Sequence, residues 1–280
     1  MHGNGRGLQD GFHRCPIAPA QPGLALATRK ERSLIRICIV RPLANTAVTL
    51  ELSETVGAQA SMIVAAAYDA IEQAIRVGDL PGVLEVAAAF CSVTLHYDCL
   101  RITQSDLLER VAGLLEGISV DRRPSGRHWL LPCCYDGENG ADLVDLSETL
   151  GLARGEIVAQ HAAVQFYIYA LGFLPGLPFL GDLPDHLARP RRHEPRTHVP
   201  AGSVAIANRM CVIYPWISPG GWHIVGKCPV PMFDITRKVP SLFAAGDTIR
   251  FVPVTQDRFD ALKHDLATGA IEPHSFLEEE

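Results

Sequence analysis

Residues 167–222 form the stretch that decides the fold of the second half of the chain. They read YIYALGFLPGLPFLGDLPDHLARPRRHEPRTHVPAGSVAIANRMCVIYPWISPGGW. Glycine and proline recur too often for ordinary helices, because proline removes a backbone donor and glycine weakens regular elements. Short strands joined by such loops predict a small closed β-barrel. The same loops, with aromatic and arginine side chains among them, also fit a binding site. Composition alone leaves both interpretations open.

Hydrophobic periodicity extends this interpretation along the chain. Further barrel strands are predicted near 164–171, 203–207, 222–227 and 248–253, after short helices at about 143–150 and 154–162. Upstream, strands at 35–39, 48–52, 83–88, 93–97 and 128–134 alternate with helical patterns at 63–75 and 107–115. We interpret this series as a β-α-β-β-α-β order. It predicts a two-layer, ferredoxin-like α/β sandwich.

The fold class is therefore α+β, and the 280 residues are enough for two compact domains. We expect a disordered N-terminal extension at 1–33, because this stretch lacks periodic apolar positions. The α+β sandwich is expected at 34–125 and the β-barrel at 126–255. Residues 256–280 are polar and are expected to form a peripheral C-terminal tail.

Composition excludes several classes of function. The net charge of −6 offers no general attraction for nucleic acid or for an anionic membrane. Eight cysteines contain no C-x-x-C pair and no zinc spacing, which is typical of reduced cysteines in a cytoplasmic protein. Apolar runs stay shorter than the ~18 residues of a membrane-spanning helix, and no signal peptide is recognisable. His186, His193 and His198 are irregularly spaced, so no metal site is predicted.

Six blocks occur in an order that identifies a family. They are 173–181 (FLPGLPFLG), 190–192 (PRR), 195–196 (PR), 199–203 (VPAGS), 213–215 (IYP) and 218–222 (SPGGW). The chain resembles the family of bacterial 5-oxoprolinase B subunits, which is also named allophanate hydrolase subunit 1 and includes the sporulation kinase inhibitor KipI. The resemblance covers about residues 35–255, including 131–143 (LPCCYDGENGADL) and 245–253 (AGDTIRFVP). It implies a cyclophilin-like barrel.

The resemblance also implies a function. A member of this family would be the B subunit of an ATP-dependent 5-oxoprolinase, which opens 5-oxo-L-proline to L-glutamate together with the A and C subunits. ATP with Mg²⁺ would be bound at, or shared with, a partner subunit. Two alternatives stay open, namely a carboxyltransferase subunit of the allophanate hydrolase or urea carboxylase type, and a KipI-like inhibitor of a histidine kinase. Relatives commonly carry a Gly-Gly-x-Gln-Thr-Gly-like turn where residues 208–212 read NRMCV, which puts ligand contacts from that turn in doubt.

Charged side chains provide the candidate catalytic residues. Arg191, Arg192 and Arg196 lie within six residues and are separated by prolines, which favours an anionic partner over a solvated surface. His161 is a candidate for ligand orientation or proton transfer, although a structural histidine fits as well. Lys227 ends the segment GWHIVGKC, which resembles a phosphate-binding P-loop but lacks its Ser/Thr and its helix. Lys227 either faces an anion or is an exposed barrel lysine. The predicted catalytic set is His161, Arg192 and Lys227.

Glycine- and proline-rich turns provide the candidate binding residues. The turns at 175–176, 201–202 and 219–221 are able to form backbone N–H nests for an anion. Aromatic residues near them are either barrel core or a surface for ligand stacking. Besides Arg191 and Arg196, the predicted substrate- or anion-binding residues are Phe173, Pro175, Gly176, Pro200, Gly202, Ser203, Tyr214, Ser218, Gly220, Gly221 and Trp222.

Overall fold

A computed structural model describes residues 35–118, 120 and 126–278. The predicted N-terminal extension at 1–33 lies outside the described residues, as do residues 124 and 125 at the predicted domain boundary. Two groups of elements follow one another along the described chain. The first is an open sheet with two helices, and the second is built around a closed barrel.

The first group packs two helices on an antiparallel sheet. Its elements are β1 (Ile39–Leu43), β2 (Ala47–Glu51), α1 (Ala58–Val77), β3 (Val83–Ala88), β4 (Ser92–Tyr97) and α2 (Gln104–Leu115). The strands lie in the order β1-β2-β4-β3. Alternate side chains such as Val48 and Leu95 are buried against Ile71 of α1 in one hydrophobic cluster, as expected for a sheet covered on one face. The Thr103 hydroxyl accepts a hydrogen bond from the Asp106 N–H at 3.2 Å and caps α2, as its sequence predicts.

The structure does not confirm the ferredoxin-like order predicted for this group. The observed order is β-β-α-β-β-α, because β1 and β2 form a hairpin before α1. The strand predicted to close the series, β5 (His128–Cys134), lies in the barrel instead. The first strand also begins at Ile39, where the predicted strand at 35–39 ends. The alternation of apolar residues predicts that β5 is a strand, but it does not determine which strand β5 pairs with. Pairing in the open sheet or in the barrel would bury the same side chains of β5.

The second group contains the predicted barrel. Its remaining strands are β6 (Phe166–Leu171), β7 (Pro178–Gly181), β8 (Arg196–Val199), β9 (Ser203–Ala207), β10 (Met210–Ile213), β11 (Ser218–Gly220), β12 (His223–Lys227) and β13 (Thr248–Val254). Seven of the thirteen strands in the described residues form the closed barrel β10-β7-β6-β13-β5-β12-β9, in which β5 and β13 are parallel. The other two strands of this group, β8 and β11, form a separate antiparallel ribbon. The predicted closed barrel is confirmed.

Both faces of β9 are buried, and this determines where a site can form. Val204 and Ile206 lie in the cluster that fills the barrel interior. Ala205 and Ala207 belong to a different cluster, which includes Val199 of the β8/β11 ribbon. Side chains alternate across a strand, so the second cluster lies on the outer face of the barrel. The outer face at β9, β10 and β12 is therefore covered by the ribbon and its loops.

Helices pack against the strands of the barrel. A 3₁₀ turn (Gly137–Gly140), α3 (Leu143–Leu150) and α4 (Arg154–Ala163) connect β5 to β6, and α5 (Gln256–Thr268) follows β13. The segment predicted as a peripheral tail is packed on the barrel in its described part, since α5 buries Phe259 and Leu262 and a β-bridge joins Leu277 to Trp129. Among the helices of the described residues, none has the length and apolar character needed to cross a membrane.

Candidate functional site

A cleft on the outer face of the barrel collects six of the predicted site residues, and we call it the aromatic cleft. Its volume is about 150 Å³. Its lining consists of Phe173, Leu177, Phe179, Arg191, Val212, Tyr214, Pro219, Gly220, Gly221 and Trp222. The loop after β6, the loop before β8 and the β10–β11–β12 connections all contribute to it. Tertiary folding thus brings together residues from segments far apart in sequence.

Two buried aromatic side chains form the inner walls of the aromatic cleft. Tyr214 and Trp222 are 3% and 5% exposed. A Cβ atom on Gly220 would overlap the Tyr214 hydroxyl oxygen, so glycine is required for the phenol to lie there. Burial raises the pKa of Tyr214, against the opposing effect of Arg191 and Arg196. The phenol is therefore protonated at neutral pH, and its hydroxyl is a hydrogen-bond donor.

An exposed aromatic residue marks the mouth of the aromatic cleft. The Phe173 side chain is 73% exposed although it is large and apolar. Its backbone φ of 66° lies in the left-handed region, which costs a non-glycine residue roughly 1–2 kcal/mol. The turn around it is closed by a hydrogen bond of 2.8 Å from the Leu174 N–H to the Gly172 carbonyl. The fold thus holds an apolar ring in solvent at the entrance to the cleft.

Arg191 is the cationic residue of the aromatic cleft. Its guanidinium carbon lies 5.7 Å from the centroid of the Trp222 ring, within the range of a cation–π contact. The side chain is exposed, and no carboxylate among the described residues lies within ion-pair distance of it. A guanidinium in this position presents its donors to solvent or to a ligand.

The other two arginines of the predicted cluster bind a carboxylate of the chain itself. Asp142 precedes α3 and its side chain is 2% exposed. Its Oδ1 atom accepts hydrogen bonds from Arg192 Nη1 at 2.8 Å and Arg196 Nη2 at 2.6 Å. Its Oδ2 atom accepts from Arg196 Nη1 at 2.9 Å and from the Ile224 N–H at 2.6 Å. The anion that the close spacing of the arginines predicts is therefore Asp142 for two of the three.

Asp142 was missed at the level of sequence. It lies within the block 131–143, so the only available signal was its position in that block. It is separated from Arg192 by 50 residues and from Arg196 by 54. A local pattern does not encode contacts of this range. The structure adds Asp142 to the residues that build the site.

The backbone on both sides of Arg191 is fixed to the strand β12 and the residues before it. The His223 Nε2 atom lies 2.9 Å from the Pro190 carbonyl oxygen. The Arg192 N–H donates to the Gly221 carbonyl at 2.7 Å. With the ion pair of Arg192 and Asp142, these contacts hold the segment before and after Arg191 against the wall that contains Trp222. The backbone at Arg191 is thus held in place, while its guanidinium is positioned by the contact with Trp222.

The predicted turn at 200–203 uses its backbone groups within the fold. The Gly202 N–H donates to the Tyr214 carbonyl at 2.7 Å, and the Ser203 N–H donates to the Pro200 carbonyl at 3.2 Å. The Gly202 carbonyl in turn accepts from the Cys228 N–H at 2.8 Å. These amides are occupied, so they do not form an anion nest. Pro200, Gly202 and Ser203 support the cleft through Tyr214 rather than line it.

The remaining turn residues lie next to the aromatic cleft but outside its lining. Gly176 has a φ of 77°, and a Cβ atom there would come within 2.7 Å of the Phe233 Cβ atom. Together with Pro175 it closes the loop that presents Phe173. Ser218 pairs with Val199 in the ribbon, and its hydroxyl is buried with no hydrogen-bond partner in the described part of the chain.

His161 lies in the barrel interior and not in the aromatic cleft. It is 1% exposed, and its ring stacks on Phe251 at a centroid distance of 5.1 Å. The Nδ1 atom lies 2.9 Å from the Tyr135 hydroxyl, and the Nε2 atom lies 3.6 Å from the Cys211 sulfur. Burial lowers the pKa of His161 to about 3, so the ring is neutral at physiological pH. A role in catalysis stays a prediction, and the contacts described here are those of a core residue.

Lys227 also lies apart from the aromatic cleft. It ends β12, where it pairs with Ser203 of β9 and Cys134 of β5. Burial lowers the pKa of Lys227, and the nearby Lys263 lowers it further. The segment 223–227 is a strand, as expected when the P-loop interpretation is rejected. Among the described residues, no group of three or more His, Cys, Asp or Glu side chains is placed to hold a metal ion.

The segment that departs from the family pattern is the hairpin between β9 and β10. Asn208 has a φ of 52° and hydrogen-bonds to Arg189, while Arg209 forms an exposed ion pair with Asp185 at 3.1 Å. Only Val212 of this segment lines the aromatic cleft. The substitutions therefore change the barrel rim more than the cleft wall.

Comparison with known proteins agrees with this architecture. The family model for the carboxyltransferase domain, subdomain C and D, matches residues 38–243. The 5-oxoprolinase B subunit of Bacillus subtilis (strain 168) is 33% identical over 240 residues, which are 81% of this chain and 97% of that protein. The 5-oxoprolinase B subunit of Escherichia coli O157:H7 is 37% identical over 178 residues, 64% of this chain and 81% of that protein.

Solved structures extend the comparison to larger chains. The crystal structure of TTHA0988 superposes on this chain with a TM-score of 0.64 and a sequence identity of 34%. The match covers 75% of this chain but only 40% of the TTHA0988 chain. The urea carboxylase of Kluyveromyces lactis has a TM-score of 0.66 over 83% of this chain and 23% of its own. Its identity of 19% shows a shared fold alone.

Proposed function

Because the chain belongs to the carboxyltransferase domain, subdomain C and D, family, we propose that it is the B subunit of a 5-oxoprolinase. The complex would open 5-oxo-L-proline to L-glutamate with ATP, together with the A and C subunits. Relatives that carry the name of the 5-oxoprolinase B subunit support this assignment over most of their own length. The observation that carries the proposal is the aromatic cleft, in which one free arginine lies among aromatic side chains. Such a cleft suits a small cyclic substrate with a negative charge.

The chemistry of the substrate explains why several subunits and ATP are needed. A lactam keeps its amide resonance and is a poor electrophile. Phosphorylation of the lactam oxygen would turn it into a leaving group, and ATP supplies this chemistry when it is bound. The aromatic cleft does not fit a nucleotide, because its volume of about 150 Å³ is below the ~300 Å³ at the lower end of ligand pockets. ATP with Mg²⁺ would then bind outside the aromatic cleft, at or shared with a partner subunit.

The residues of this chain would bind and orient the substrate. Arg191 would hold an anionic group, and the buried walls at Tyr214 and Trp222 would keep water away from the bound ring. Phe173, exposed at the mouth, would contact the substrate or the protein that closes the cleft. The Asp142 ion pairs would keep the loop around Arg191 in place.

Reconstitution tests this function. The chain is purified and combined with the homologues of the A and C subunits encoded in the same genome, and glutamate and phosphate are measured with 5-oxoproline and ATP. We expect glutamate only when all three proteins are present. Each single omission serves as a control. A complete mixture that assembles on gel filtration but forms no glutamate would refute the proposal.

Urea amidolyases supply the second candidate function. The enzyme of Saccharomyces cerevisiae is 26% identical over 218 residues, which are only 12% of that protein. In a protein of that class, the chain would act with a biotin-carrying partner on a urea-type compound. The same reconstitution with urea or allophanate and a biotin carboxylase homologue distinguishes this function. Inhibition of a histidine kinase without turnover would support the KipI-like alternative.

A further inference from the structure

The aromatic cleft contains two polar groups that the protein leaves free. One is the guanidinium of Arg191, which lies over the Trp222 ring and has no hydrogen bond or ion pair with the described residues. The other is the hydroxyl of Tyr214, which lies over Gly220 and has no hydrogen-bond partner in the described parts of the chain. Arg191 is exposed and the Tyr214 hydroxyl is not among the buried atoms without a partner, so water is able to reach both donors. A ligand with acceptor groups in the cleft would pair with both of them.

The surrounding charges decide which kind of ligand fits. Asp142 pairs with both Arg192 and Arg196 and offsets one of their two positive charges, so both guanidinium groups are already engaged with a carboxylate. Within the part of the chain that the structure describes, no Asp or Glu side chain lines the aromatic cleft. The residues that line the cleft therefore carry one positive charge, on Arg191, and are otherwise uncharged. A ligand with one carboxylate and an apolar body is complementary to it.

The size of the aromatic cleft restricts the ligand further. Its volume of about 150 Å³ is half of the ~300 Å³ at the lower end of cavities that hold drug-sized ligands. A single five-membered ring with one carboxylate has this scale, and a nucleotide or a peptide segment does not. One face of the ring would lie against Trp222, which itself packs on Phe179 at a centroid distance of 6.2 Å.

We propose that the aromatic cleft is the subsite that selects the carboxylate of 5-oxoproline. The carboxylate pairs with the Arg191 guanidinium, the ring packs on Trp222, and the lactam oxygen accepts a hydrogen bond from the Tyr214 hydroxyl. This assignment rests on the proposed function, which names the substrate. It adds which residue of this chain binds each chemical group of that substrate. A lactam without a carboxylate would then bind without using Arg191.

The test uses the reconstituted complex and two ligands. Equilibrium dialysis measures binding of 5-oxoproline and of 2-pyrrolidinone, which has the same lactam ring but no carboxylate. The variants are Arg191→Gln and Tyr214→Phe, with Arg209→Gln as a charge-matched control on the barrel rim. Arg209 pairs with the exposed Asp185 and does not line the cleft. Gel filtration and thermal unfolding confirm that each variant folds and assembles.

We expect Arg191→Gln to weaken 5-oxoproline binding about 10-fold or more, as for the loss of a charge-assisted pair, and to leave 2-pyrrolidinone unchanged. Tyr214→Phe should weaken both ligands, because both carry the lactam oxygen. Arg209→Gln should change neither. Equal binding of 5-oxoproline by the wild type and Arg191→Gln would overturn the subsite, as would a wild-type complex that binds no 5-oxoproline.

Turnover separates this inference from the proposed function. If the complex forms glutamate and Arg191→Gln keeps the wild-type KM for 5-oxoproline, the function stands and the subsite is wrong. If the complex forms no glutamate but binds 5-oxoproline through Arg191, the subsite stands and the function is wrong. The KM for ATP should stay unchanged in Arg191→Gln, because the nucleotide would bind outside the aromatic cleft.

Discussion

Replacing Asp142 with asparagine should destabilise the fold and loosen the loop that carries Arg191. The substitution removes the negative charge that two guanidinium groups share and presents an NH₂ group to donors. Asp142 accepts four hydrogen bonds, one of them from the backbone of β12. An asparagine side chain retains one oxygen for these four donors. At least one arginine therefore loses its partner inside the protein.

The magnitude follows from the burial of the three side chains. Breaking a fully buried ion pair costs about 3–5 kcal/mol. Asp142 is 2% exposed, but Arg192 and Arg196 keep 28% and 26% exposure, so water can solvate part of the freed charge. We expect Asp142→Asn to lower the free energy of unfolding by about 2–4 kcal/mol. Arg196→Gln should cost more than Arg192→Gln, since Arg196 binds both carboxylate oxygens and Arg192 binds one.

Urea unfolding followed by tryptophan fluorescence measures these differences. Arg209→Gln is the matched control, because its ion pair with Asp185 is largely exposed and should contribute less than about 1 kcal/mol. A double-mutant cycle of Asp142→Asn with Arg196→Gln isolates the coupling of the pair. If Asp142→Asn costs no more than Arg209→Gln, Asp142 does not organise the site and the reasoning fails.

Two further predictions concern the barrel. The pKa of His161 is lowered to about 3, whereas an unfolded histidine has a pKa of about 6.5. Between pH 3 and pH 6.5 the unfolded chain therefore binds a proton that the folded chain does not bind. The free energy of unfolding falls for this reason as the pH is lowered below about 6.5. Urea unfolding at pH 6.5 and 4.5 should show a slope up to about 1.4 kcal/mol per pH unit steeper in the wild type than in His161→Gln, and equal slopes would contradict the assignment. Gly181→Ala should destabilise by about 1–3 kcal/mol, because the new Cβ atom would overlap the Tyr169 ring, which hydrogen-bonds Asp182 at 2.7 Å. Gly113→Ala in α2 meets nothing within 4 Å and should be neutral or stabilising; similar melting temperatures for both glycine variants would count against the packing argument.

The sequence by itself determined the elements of the barrel and the neighbourhood of the site. The helices at 143–150 and 154–162 and the strand at 203–207 were predicted within a residue of their observed bounds. Their signals are local, because apolar periodicity and Gly/Pro turns act over a few residues. The blocks that carry the family resemblance contain Phe173 and Tyr214, and the arginine cluster contains Arg191. All three residues line the aromatic cleft.

Only the tertiary structure decided which of these side chains are free to bind. β5 joins the barrel because it pairs with β13, which lies more than 100 residues later in the chain. The alternation of apolar side chains along β5 does not specify which strand it pairs with. The three arginines look equivalent in sequence. In the structure, Asp142, which is 50 residues away from Arg192, forms ion pairs with Arg192 and Arg196 but not with Arg191. The sequence leaves His161 open as either a functional or a structural histidine, and only the structure shows that its ring stacks on Phe251 inside the barrel. Pairing of charges and burial of rings depend on distances in space, which a local pattern does not contain.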